Sequence, residues 1–111
     1  MINILVIKEK QTIKTIEATG HSGYAKHGKD IVCSAISTLM ETLANGLTEI
    51  VKANCKIIVD ENIPHLSVTV EETDEEICKN AQILMQTTIL GIKGVAQEFS
   101  KFIKIKEKQN D

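Results

Sequence analysis

The chain has 111 residues and a mass of 12.3 kDa, with 13 basic against 15 acidic residues (formal charge −2) and 42% hydrophobic content. That is the composition and length of one globular domain spanning 1–111, so disorder is excluded as the overall state. Cys33, Cys55 and Cys78 are too widely spaced for a disulfide scaffold or zinc ribbon, while the absence of arginine and a pI near 5.9 argue against direct nucleic-acid binding.

In chain order, Ile2–Ile7 is a short β-branched run, Glu9-Lys10-Gln11 a turn, and Thr12–Thr19 a second strand. Gly20 to Lys29 reads as a loop; it holds three of the six glycines (Gly20, Gly23, Gly28) and two of the three histidines (His21, His27). Asp30 is an N-cap for a helix running to about Lys52, because Val32, Ile36, Leu39, Met40, Leu43, Leu47 and Ile50 recur on one face. Gly46 weakens its far half by about 1 kcal/mol relative to alanine.

Cys55–Val59 and His65–Val70 read as a third and fourth strand joined by the turn Asp60–Pro64. Thr73-Asp74-Glu75-Glu76 has the form of a capping box with Thr73 at the N-cap. A second helix follows, with Ile77, Ala81, Leu84, Met85, Ile92 and Val95 inward. The acidic residues there suit the positive end of a helix better than a metal site, and no metal or cofactor is expected. Phe102, Ile103 and Ile105 mark a last strand among lysines. The order ββαββαβ predicts an α+β, two-layer domain with two helices packed on one face of a mainly antiparallel sheet.

Residues 1–8 lack the basic region and cleavage site of a signal peptide, and no apolar run approaches the roughly twenty residues of a membrane span. A reducing, cytoplasmic setting with free thiols is therefore expected, with no membrane partner. The lysines between 101 and 108 read as a solvated strand edge that resists aggregation.

The loop–helix junction carries the chemistry. Counted from Asp30, Cys33 is the third helical residue, among unpaired backbone N–H groups at the positive helix end, which favours a thiolate. The Asp30 carboxylate opposes that effect. At 100° per residue Cys33 lies about 60° from Ile36, at the margin of the apolar stripe, where a thiol reaches a cleft. A thiol enzyme needs a base, and His21, directly after the second strand, is better held than His27 in mid-loop. Cys55, Cys78 and His65 have simpler structural explanations. The glycines permit positive φ, and they also allow backbone to approach a peptide or a lid to move.

The run Gly20-His21-Ser22-Gly23-Tyr24-Ala25, followed by Gly28, Asp30-Ile31-Val32-Cys33 and Ser37, closely resembles the ribosomal-processing cysteine protease family, Prp. The order of elements and the chain length also suit that family. The resemblance implies a cytoplasmic bacterial endopeptidase that removes an N-terminal extension from large-subunit ribosomal protein twenty-seven, cutting after Phe-Phe. It implies a catalytic Cys33 and His21, with Asp30 in support as helix cap, orienter of His21 or both, and Ser37 one turn past Cys33, in support or as a simple helix-face serine. Gly20, Ser22, Gly23, Tyr24 and Gly28 would belong to a mobile substrate-binding loop, in a protein that is typically a homodimer. Many relatives have a small residue such as alanine where this chain has Ser22. Oxyanion stabilisation is expected from backbone N–H groups at the helix start, including that of Cys33. Two other readings compete: a non-catalytic ribosome-associated binding module docking through its lysines, and a thiol redox sensor forming a sulfenate at Cys33.

Overall fold

The computed structural model describes residues 1–26, 30–60, 62 and 64–110. Strands β1 (Ile2–Glu9), β2 (Thr12–Thr19), β3 (Cys55–Asp60), β4 (His65–Val70) and β5 (Ile103–Gln109) form one sheet in the order β3-β4-β2-β1-β5. All neighbours are antiparallel except β1 and β5, which are parallel. Helices α1 (Ile31–Asn45) and α2 (Glu75–Glu98) pack on one sheet face, giving the ββαββαβ two-layer α+β architecture expected from the sequence.

Period-two alternation selects the buried face. Ile2, Ile4 and Val6 of β1 are buried, and the register pairs Val6 with Ile16 and Ile16 with Val68 across the sheet. The β1–β2 hairpin turns at Lys10, in the left-handed region at φ 54°. A register shift after Ile7 pairs Lys8 with Ile13, and α2 pins this point. Gln82 accepts the Ile13 N–H (3.0 Å) and donates to its carbonyl (2.7 Å), so one amide side chain acts as a strand partner.

Three local details differ from expectation. First, α1 ends at Asn45, and a π-helical turn over Gly46–Val51 closes it, with Lys52 at φ 59°. The wider turn keeps Leu47 buried but rotates Ile50 out of the apolar stripe, leaving it 80% exposed. Second, the N-cap of α2 is Asp74, whose carboxylate accepts the Ile77 N–H at 3.0 Å. Thr73 instead donates its N–H to Glu72, which also accepts the N–H groups of Asn54 and Asp74. Third, β1 runs on to Glu9 and β3 to Asp60.

Sheet and helices do not match in width. Residues Cys55, Ile57 and Val59 of the edge strand β3 share the helix-side face with Val70, Val68 and Leu66 of β4. The helices stop short of that edge, so Val59 is 63% exposed on what would otherwise be the core side. The uncovered strip adjoins α1 and forms one wall of the site below. Among the described residues, no helix is long and apolar enough to cross a membrane.

Candidate active site

Asp30 organises the start of α1. Its Oδ1 accepts the N–H groups of both Val32 and Cys33 at 3.0 Å, and its carbonyl accepts the N–H of Ser34 at 3.0 Å. This is the N-cap expected from the sequence, with a consequence for the chemistry. The Cys33 N–H is committed to Asp30, so it is not the oxyanion donor that the sequence suggested.

The other carboxylate oxygen of Asp30 faces the loop. Ser22, only 4% exposed, donates its hydroxyl to Asp30 Oδ2, and the same hydroxyl accepts the Tyr24 N–H at 3.0 Å. Asp30 itself is 7% exposed. Burial pushes its carboxyl up, but hydrogen bonds from Ser22, Cys33 and Val32 outweigh burial and hold it below the usual carboxylate range. Asp30 is thus a buried anion with its donors in place.

The loop is fixed at both ends of this contact. Gly20 donates its N–H to the Pro64 carbonyl at 3.0 Å and adopts φ +90°, where an added Cβ would lie 2.5 Å from the Met1 carbonyl oxygen. Only glycine fits there. Tyr24 stacks edge-on against Phe99 (5.5 Å) and Phe102 (5.3 Å), which brings all three aromatic residues of the chain together. Between these anchors the Ser22 backbone N–H donates to Cys33 Sγ at 3.4 Å.

Cys33 opens onto a groove of about 910 Å³. Cys33, Ser37 and Glu41 line one wall at successive turns of α1; Val59 and Leu66 contribute from β3 and β4, and Ile36 and Met40 are apolar lining from α1. Gly20, His21 and Gly23 line it from the loop, so the groove holds an exposed imidazole and a half-buried thiol together. Asp30 and Ser37 also line it, Ser37 exposed one turn beyond Cys33. Ser22 and Tyr24 face elsewhere, the first into the Asp30 contact and the second into the aromatic cluster. Gly28 and His27 lie outside the described residues.

Sequence reasoning did not find Val59 and Leu66; the available signal was the run Ile57-Ile58-Val59, apolar on both faces of an edge strand. The other thiols lie outside this groove, and the third histidine, His65, also lines it but is held by a carboxylate. Cys78 donates its S–H to the Glu72 carbonyl (3.2 Å), and His65 Nε2 lies 3.4 Å from Glu17 Oε2. Among the described residues, no three His, Cys, Asp or Glu side chains are grouped to hold a metal.

The fold has close counterparts. A family model described as Cysteine protease Prp matches residues 1–104. The ribosomal processing cysteine protease Prp of Staphylococcus aureus is 20% identical over 104 residues, covering 94% of this chain and 95% of that protein. A crystal structure of S. aureus Prp, in complex with a covalently linked product peptide, superimposes with a TM-score of 0.87 at 21% identity, over 97% of this chain and 100% of that one. A Streptococcus mutans crystal structure matches at a TM-score of 0.85 and 28% identity, over 99% and 96% of the two chains. With the family match spanning nearly the whole chain, the protein belongs to the Prp family and is a cysteine protease.

Proposed function

We propose that this protein is a cytoplasmic endopeptidase acting through Cys33 and His21. Its substrate in this reading is the precursor of large-subunit ribosomal protein twenty-seven, cut after a Phe-Phe pair to release an N-terminal extension. The observation that carries the reading is the junction itself: a cysteine at a capped helix start, receiving a backbone N–H on Sγ and sharing a groove with a histidine. The S. aureus relative is a ribosomal processing protease and has been seen with a covalently linked product peptide, which supports a peptide substrate here.

In this mechanism His21 accepts the Cys33 thiol proton, and Sγ forms a bond to the scissile carbonyl carbon. The tetrahedral intermediate collapses by breaking the C–N bond, and His21 gives the proton to the leaving amine. Water then attacks the thioester, its proton passing to His21. Breaking the C–S bond releases the carboxyl product and regenerates the thiol. Asp30 caps α1 and holds the loop. The groove's apolar lining of Ile36, Met40, Val59 and Leu66 is suited to apolar side chains near the cut. The working unit is the single domain 1–111, acting as a homodimer.

The test is incubation with a peptide spanning the extension and the Phe-Phe site, read by fragment mass. Cleavage after Phe-Phe by the wild type, lost in Cys33→Ala, is expected. An intact peptide, or equal cleavage by Cys33→Ala, overturns the reading.

A further inference from the structure

Ser22 carries more order than a loop residue needs. It is nearly inaccessible, its hydroxyl is used twice, and its main chain touches the thiol. The hydroxyl donates to Asp30 Oδ2 and accepts the Tyr24 N–H, so it bridges the helix cap and the loop. The bridge lies within the residue whose N–H donates to Cys33 Sγ at 3.4 Å. The N–H groups of Val32, Cys33 and Ser34 are all spent on Asp30. Ser22 N–H is therefore the donor that the structure aims at the sulfur.

We propose that Ser22 is a positioning residue of this protease: its hydroxyl, clipped between Asp30 and Tyr24, holds its own backbone N–H on Cys33 Sγ. The inference rests on Cys33 being the nucleophile. An N–H donor on sulfur stabilises a thiolate and orients it, whereas a free loop would present that donor only part of the time. The hydroxyl has a second effect of the same sign. Asp30 is a buried carboxylate one helical turn from the thiol, and each donor on it spreads charge that would otherwise repel a thiolate. Removing the hydroxyl both loosens the donor and bares the anion. A smaller residue at this position would have to hold the loop by other contacts.

The distinction from a purely structural serine lies in which constants move. The hydroxyl does not line the groove, so its loss leaves the peptide contacts in place and affects the thiol. In Ser22→Ala, kcat for the Phe-Phe peptide falls about tenfold while KM stays within about twofold, because misplacing a reacting group by a fraction of an ångström acts on the chemical step. Alkylation of Cys33 by iodoacetamide at pH 7, followed on the Cys33-containing fragment by mass, slows in parallel.

Ser22→Thr and Ser22→Val form a matched pair, equal in shape and different in the hydroxyl. Ser22→Thr is expected to restore both rates and Ser22→Val to behave like the alanine variant, with circular dichroism establishing the fold of each. Wild-type alkylation in Ser22→Ala, a change in KM alone, or equal behaviour of the threonine and valine variants overturns the proposal. Failure of all three variants to fold overturns it too, since Ser22 would then serve folding. Because the alkylation rates need no substrate, they judge Ser22 even if the peptide is not cleaved. Peptide cleavage by Cys33→Ala fails the underlying reading separately.

Discussion

Two cysteines of this chain stand near the start of an aspartate-capped helix, and they are treated in opposite ways. At α1, Cys33 Sγ accepts an N–H from Ser22 and opens onto a groove shared with His21. At α2, the Cys78 S–H donates to the Glu72 carbonyl, a bond that requires the thiol to keep its proton. Cys55, at the start of β3 beside Glu71 and Glu72, has its thiol pushed above the ordinary 9.0 by burial and then by those two charges. Backbone hydrogen bonds from Asn54 and Asp74 hold the Glu72 carboxyl below the usual range, so that corner stays anionic. A helix start therefore does not make a thiol reactive by itself. Both junctions have a carboxylate nearby; what separates them is the backbone N–H that Cys33 Sγ receives from Ser22 and the groove it shares with His21.

The largest expected effect comes from removing the sulfur. Cys33→Ala should lower peptide cleavage by about a thousandfold or more, as loss of a covalent nucleophile does. Cys55→Ala and Cys78→Ala should keep cleavage within about twofold of wild type. Steady-state kinetics on the three variants makes the comparison, and a loss in either of the latter two would erase the contrast.

The histidines sharpen it next. His21→Ala should cost about 10²–10⁴ in kcat, the span of a lost general base. His65→Ala, which removes a partner of Glu17, should leave kcat nearly unchanged. Equal losses would mean that the groove does not select its base.

The smallest effects are on stability. Asp30→Ala and Asp74→Ala each remove an N-cap, a change worth about 1 kcal/mol in urea unfolding. Asp30 adds a dependence on pH that has a defined sign. Its folded-state carboxyl lies below the ordinary 3.8, so its stabilisation is present above 3.8 and disappears as the pH falls through the lower folded value. Acid unfolding of Asp30→Asn should accordingly be less steep below pH 3.8 than that of wild type.

Much of this was legible in the sequence because it is local. Alternation in Ile2-Asn3-Ile4-Leu5-Val6 marks a strand with one buried face, and Asp30 before Val32 and Ile36 marks a helix start. Cys33 and His21 stand out for the same reason. Other features depend on contacts between distant elements or on close local competition. The π-turn that exposes Ile50 has no propensity signal, and two adjacent cap formers, Thr73 and Asp74, were separated only once Glu72 engaged the Thr73 N–H. Tyr24 meets Phe99 and Phe102 from the opposite end of the chain, and Ser22 lies in an ordinary glycine-rich loop until Asp30 is folded beneath it. Val59 enters the groove only because the helix layer is narrower than the sheet.

Attack by a single thiol, that of Cys33, is the step most directly open to test. A short peptide ending in Phe-Phe with a chloromethyl ketone in place of the scissile bond tests it directly, by mapping the alkylated residue in the folded protein. A single label on Cys33, blocked by excess uncut peptide and strongly reduced in His21→Ala, is the predicted result. Labelling of Cys55 or Cys78 at a comparable rate, or of Cys33 without protection by the peptide, would contradict it.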